Sequence, residues 1–341
     1  MGNKPLQRQW RTIFRYIIPL FISAGLCYLL FTGADLPATL AAMRQCDFSW
    51  LLGSLVFSIV AQVCRAYRWR LQLIPIGVNP PAGIMVNSIF GTYAVNLVLP
   101  RLGEIWRTGY IAQRQQAPFP SVFGSMVADR LADSLTVLTV TLLTFAMTGN
   151  AMTEFMQSTD IGSRASQALA SPWLWIGAAA AAGLCLWVLR SHRNSRAVTR
   201  ITGILRGAWQ GFSSIARMPR KGMWLLLTVM IWGSYFVETW VSMYAFDATA
   251  SLIDSQGVMA ALVTFVFGTV AMAIPSNGGI GPWQGAVVLA LAGIYGIDRN
   301  VALAFATVSL GLQTLLTILL GLYTFAAIAV DRKRNRPGSP S

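Results

Sequence analysis

The sequence predicts an all-α polytopic membrane protein, built as an inverted-topology repeat with two opposed re-entrant helical hairpins. Three observations carry that reading. Only 11% of the 341 residues are charged and 55% are hydrophobic, whereas a soluble domain carries about 25% charged residues. Several apolar runs reach about 20 residues, the length a helix needs to cross hydrocarbon. Two further apolar runs are broken by proline and glycine, at Leu99-Pro100-Arg101-Leu102-Gly103-Glu104 and at Ile274-Pro275-Ser276-Asn277-Gly278-Gly279-Ile280-Gly281-Pro282. Non-helical backbone at membrane depth is tolerated only where protein buries it or where it lines a wet cavity. Paired breaks in the two halves of a chain therefore point to a transport site.

The elements follow in order. Lys4, Arg8, Arg11 and Arg15 precede a first span, 13–32, and place the N-terminus in the cytoplasm. No small-residue cleavage site follows Thr32, so this span reads as retained. Residues 33–48, with Asp35 and Pro37, fit a short interfacial helix on the outer side. The span 49–67 ends in Arg65-Ala66-Tyr67-Arg68-Trp69-Arg70, a mixture of rings and guanidinium groups that favours the headgroup level.

The run 83–98 decides the topology. A full crossing would put Arg101, Arg107 and Arg114 outside, and the basic loop 190–221 with them. Turning back at Pro100 keeps all these cations inside, and the second leg, Gly103 to Arg114, is too polar to face lipid. The first hairpin is therefore 83–114. Residues 119–147 cross outward, 149–171 stay outside and 172–189 return as an extra span. In the connector 190–221, eight Lys and Arg residues accompany Val198, Ile201, Leu205, Ala208, Phe212 and Ile215 at three- and four-residue steps. That pattern is an amphipathic helix on the cytoplasmic leaflet; it either sets orientation and touches anionic lipid or docks a partner. Residues 223–246 cross outward, the second hairpin 258–297 enters from outside and folds at 275–283, and 301–329 cross inward to a cytoplasmic tail, 330–341. The halves 13–147 and 223–329 form one integrated membrane domain over 1–341.

Several function classes drop out. Net charge is +14 and the isoelectric point near 10.4, but most of the cations sit in connecting segments and no nucleic-acid signature accompanies them. The four cysteines lack paired spacing and His192 stands without acid or thiol neighbours, so no metal site is expected. Catalytic triads, phosphate-binding P-loops and dinucleotide fingerprints are missing, so no catalytic residue and no cofactor is assigned.

The candidate binding residues cluster at the breaks. Arg101, Glu104 and Arg107 recur at three-residue steps and form one charged ridge on a helix; the paired donors of Arg suit phosphate. The plainer reading is that Arg101 and Arg107 neutralise Glu104, Asp129 and Asp133. In Asp129-Arg130-Leu131-Ala132-Asp133 the carboxylates stand at i and i+4, on one face, to hold the cationic hairpin or to relay coupling ions. Glu238 is the one acid of its span, a pairing, coupling or near-headgroup residue. At the second break the N–H groups of Gly278, Gly279 and Gly281, with a helix N-terminus begun by Pro282, aim at an anion, flanked by Asn277 and Gln284.

Pro100-Arg101-Leu102-Gly103-Glu104, Asp129-Arg130-Leu131-Ala132-Asp133 and Pro275-Ser276-Asn277-Gly278-Gly279-Ile280-Gly281 together resemble the flippase-like family, the lysylphosphatidylglycerol synthase transmembrane region. That family includes the flippase domain of the multiple peptide resistance factor, and dolichol-phosphate-glucose-synthase-like membrane proteins are related. The resemblance implies transbilayer translocation of a phospholipid or a polyprenyl-phosphate-linked lipid in the inner membrane. Its matching positions are Arg101, Glu104, Asp129, Arg130 and Asp133. The family pattern Pro-x-Pro-Gly-Gly-x-Gly-x-x-Glu carries Asn277 and Gln284 here at its third and last positions, which removes an acid. The alternative is a non-transporting accessory subunit that anchors a glycosyltransferase or lipid-synthesis enzyme. Membrane lipids are the expected partners under either reading.

Overall fold

The computed structural model describes residues 34–158 and 220–334, with scattered positions within 24–32 and 171–218. Most of the expected spans 13–32 and 172–189, of the connector 190–221 and of the tail 330–341 lies outside the described residues.

Every regular element among the described residues is helical. Helix α1 (Leu36–Arg44) starts at Asp35, whose carboxylate accepts from the Ala38 N–H at 3.1 Å. Helix α2 (Phe48–Leu73) starts at Asp47, which accepts from the Ser49 N–H at 2.9 Å. Such caps satisfy donors that the first helical turn leaves free. Helices α3 (Ala82–Val98) and α4 (Leu102–Arg114) form a hairpin broken at Leu99 and Pro100. Helix α5 (Phe119–Ser158) runs past the expected end at 147.

Helix α6 (Lys221–Ser242) is followed by α7 (Asp247–Gln256), an element not foreseen from its polar composition. At Gly257, φ +64°, the chain turns by 117° into α8 (Val258–Ala271). Helix α9 (Pro282–Val288) continues as a π turn, Leu289–Ile294. Asp298 then accepts from the N–H groups of Asn300 at 2.9 Å and Val301 at 3.2 Å and opens α10 (Arg299–Arg334).

Helices α2, α5, α6 and α10 are long and apolar enough to cross a membrane, and the bent pair α7–α8 is a candidate fifth span. The chain is a multi-pass membrane protein. Helices α2 and α6 run antiparallel: Asp47 N–H donates to Ala245 O at 2.9 Å near one end and Arg68 Nη1 reaches Thr228 Oγ1 at 3.4 Å near the other. One apolar core gathers Met243, Phe246, Leu291 and Phe305. A second, beside the first hairpin, gathers Trp69, Met85, Ile89, Ile111 and Val122. On α5, Leu131, Leu135, Leu138 and Leu142 stay exposed while Asp129 and Asp133 are buried. Apolar outside and charged inside is the pattern a lipid solvent imposes.

Candidate functional site

Helical spacing assembles the site. Arg65 and Arg68 are three apart on α2, and Asp129 and Asp133 four apart on α5, so each pair shares a face. Where these faces meet, Arg68 Nη2 donates to Asp129 Oδ1 at 2.7 Å and to Asp133 Oδ1 at 2.6 Å, while its Nε reaches Asp129 Oδ1 at 3.1 Å. Arg65 donates to Asp133 Oδ2. From α4, Arg107 Nη2 reaches Asp129 Oδ2 at 3.4 Å and its guanidinium lies 4.4 Å from the centre of the Trp69 ring. Arg130 closes the ring, with Nη2 3.6 Å from an oxygen of each aspartate. Arg68, Arg107 and Asp129 are wholly buried, whereas the Arg130 side chain is 36% exposed.

Charge does not balance here. Four guanidinium groups meet two carboxylates, an excess of two positive charges, and Glu104, whose field reaches Arg107, lowers it to one. Hydrogen bonds do not balance either. Arg65 Nε, Arg107 Nε and Nη1, and Arg130 Nε are buried without an acceptor. Buried donors are almost always satisfied and an unpaired buried charge is costly. Surplus donors thus stand beside surplus positive charge.

The two hairpin breaks meet. Arg101, at φ +62°, donates across to the carbonyl oxygen of Ala273, and Asn277 Nδ2 donates to Leu97 O at 3.2 Å. A Cβ on Gly278, φ +62°, would fall 2.5 Å from Leu97 Cδ2, so this glycine serves the close approach of the tips.

One expectation is corrected at these tips. The ridge Arg101–Glu104–Arg107 does not form: Arg101 turns to the other hairpin, Arg107 turns inward to Asp129, and Glu104 accepts from Asn96 Nδ2 at 3.4 Å. One donor at each helix N-terminus is also taken from within. Gly103 N–H donates to Asn96 Oδ1 at 2.8 Å, and Gly281 N–H donates to Gln284 Oε1 at 3.1 Å. Gln284 thus caps its own helix and donates to Thr307 Oγ1 at 3.3 Å.

Arg65, Arg68 and Trp69 belong to the site although their sequence context reads as a headgroup anchor; Arg65 is 4% exposed and the other two are fully buried. The signal that identifies them is matched spacing, Arg at i and i+3 against Asp at i and i+4 on an antiparallel partner. Beyond Asp133 on the same face of α5, Val137, Val140 and Thr141 pack beside Trp232, Phe265, Val266 and Thr269. Glu238 lies apart, against the Ser58 hydroxyl.

The family model described as Lysylphosphatidylglycerol synthase TM region matches residues 16–321. The chain is 24% identical over 367 aligned positions to glycosyltransferase AglD of Haloferax volcanii, an alignment covering 97% of this chain and 58% of that protein. The chain thus spans little more than half the length of that relative. No solved structure matches it.

Proposed function

We propose a function from one premise: the chain belongs to the family of the lysylphosphatidylglycerol synthase transmembrane region. In this reading it moves a phosphate-bearing lipid, a phospholipid or a polyprenyl-phosphate-linked lipid, between the leaflets of the inner membrane. The observation that carries the proposal is the buried excess of guanidinium over carboxylate, with donors left unpaired, inside a multi-pass bundle. A phosphate diester brings one negative charge and several acceptor oxygens, which suits that excess. Arg130, the exposed member, receives the headgroup first; Arg65 and Arg107 complete its cage. The lipid tail stays in bilayer. The two halves, read as an inverted repeat with both termini cytoplasmic, rock about the joined hairpin tips to expose the headgroup to either side.

Reconstitution into liposomes carrying either a fluorescent phosphatidylglycerol or a labelled polyprenyl phosphate tests this. Transbilayer movement above that of protein-free liposomes is expected for one of the two, with a loss of about tenfold in Arg130→Gln, equivalent to about 1.4 kcal/mol. Wild-type protein that moves neither lipid faster than empty liposomes overturns the proposal. The name and greater length of the Haloferax relative favour a second reading, a membrane module serving a glycosyltransferase. Stable co-purification with such an enzyme, whose activity survives Arg130→Gln, would support it.

A further inference from the structure

The arginine ring holds donors without acceptors; further along α2 the reverse holds. Ser58 and Gln62 stand one turn apart on α2, Ser58 fully buried and Gln62 1% exposed. Ser58 Oγ accepts from Gln313 Nε2 of α10 at 2.7 Å and lies against the Glu238 carboxylate of α6. Gln62 Oε1 and Gln313 Oε1 are buried without a donor. None of the ion pairs among the described residues includes Glu238.

Helix register places Gln62 beside Ser58 and Glu238. Ser58 faces Glu238 as Arg68 faces Thr228, so the antiparallel helices keep step over the ten residues between the two contacts. Gln62 falls between those levels. Helical side chains lean toward the N-terminus of their own helix. On antiparallel helices Gln62 and Glu238 therefore lean toward each other, and Gln62 toward Ser58.

We infer that Glu238, Ser58, Gln62 and Gln313 form a binding site for a small monovalent cation where α2, α6 and α10 cross. One carboxylate with three neutral oxygens supplies a single negative charge, which matches a singly charged ion. Hard oxygen donors favour an alkali ion over a transition metal, and no group of three acidic, His or Cys side chains among the described residues is placed to hold a metal ion. A proton would serve one of these oxygens; a cation serves all four. Tyr235, one turn before Glu238, shares a hydrogen bond of 3.0 Å with Tyr93. A cation here ties three of the long helices together, so its binding is read as stability.

The test is thermal melting of the purified full chain in detergent, in sodium chloride and in choline chloride at matched ionic strength, at two pH values. It measures no lipid movement, so it fails or succeeds independently of the lipid reading. Wild-type protein is expected to melt about 2–5 °C higher in sodium. Glu238→Gln and Gln313→Leu should each shrink that difference below about 1 °C; should Glu238→Gln not fold, Gln313→Leu serves alone. Equal wild-type melting in the two salts overturns the inference. So does a sodium effect that survives the substitutions, or melting that responds to pH but not to the cation.

Discussion

Arg101, at the tip of the first hairpin, donates to the carbonyl oxygen of Ala273 at the tip of the second, and does so from a left-handed backbone at φ +62°. That conformation costs a non-glycine residue about 1–2 kcal/mol, and such strain persists where the surroundings over-determine it. Here the far hairpin does so, since Asn277 returns a bond to Leu97 O at 3.2 Å.

The side chain and the strain can be separated. Arg101→Gly removes the bond and relieves the backbone, whereas Arg101→Ala removes the bond and keeps the strain. The glycine variant is expected to be the more stable by about 0.5–1 kcal/mol. Combining Arg101→Gly with Asn277→Ala should depart from additivity by at least about 0.5 kcal/mol, because both residues tie the same two tips. Denaturant melts of the four proteins check this, and strict additivity would mean that the tips do not cooperate.

Asp129 and Arg130 are neighbours in sequence with opposite expected sensitivities. Asp129 is wholly buried and faces Arg68 at 2.7 Å and Arg107 at 3.4 Å. Asp129→Asn leaves those guanidinium groups uncompensated, a loss of about 3–5 kcal/mol. Arg130, 36% exposed and 3.6 Å from its partners, should cost less than about 1 kcal/mol as Arg130→Gln. Matched melts of the two variants decide it; an Asp129→Asn protein as stable as Arg130→Gln would mean the network is not under tension from excess charge.

The same pair shows how far the sequence reaches. Composition and run length locate the four long helices, and Asp35 with Pro37 locates α1, because these signals are local. The breaks at Pro100 and Pro275 are legible for the same reason. Arg65 and Arg68 were not legible as site residues: guanidinium groups near rings at a helix end read alike whether they snorkel to headgroups or pair inward. Only the packing of α2 on α5 tells these apart. The 101–104–107 ridge failed because spacing places side chains on a face without choosing which partner each will reach. Helix α7, polar and with Asp at both 247 and 254, carries too weak an apolar face to be seen in isolation.

Close helix approach makes a further prediction at Gly321. A Cβ there would lie 2.4 Å from the Ala94 Cβ, so α10 and α3 touch with no room for a methyl group on both. Gly321→Ala should destabilise the protein by about 1–3 kcal/mol. Adding Ala94→Gly removes the opposing methyl and should restore part of that loss, beyond the cost of Ala94→Gly alone. Thermal melts of the two single variants and the pair measure it. A pair no better than the sum of its members would show that the contact is relieved by helix displacement instead.

Cys46 provides a prediction outside the spans. It sits in the turn between α1 and α2, 8% exposed. Burial first, and the Asp47 carboxylate second, push its thiol up from 9.0 to about 11. The folded protein therefore holds this proton more tightly than the unfolded chain. The associated stabilisation is complete below pH 9 and is lost as pH rises from about 9 to about 11. Reactivity follows the thiolate. In a variant with Cys27, Cys64 and Cys185 replaced by serine, the rate of iodoacetamide labelling at Cys46 should still climb close to tenfold between pH 9 and pH 10. Asp47→Asn keeps a side-chain cap on α2 and removes the charge, so its labelling curve should level off at lower pH. A wild-type rate already flat by pH 9 would show that neither burial nor Asp47 restrains the thiol.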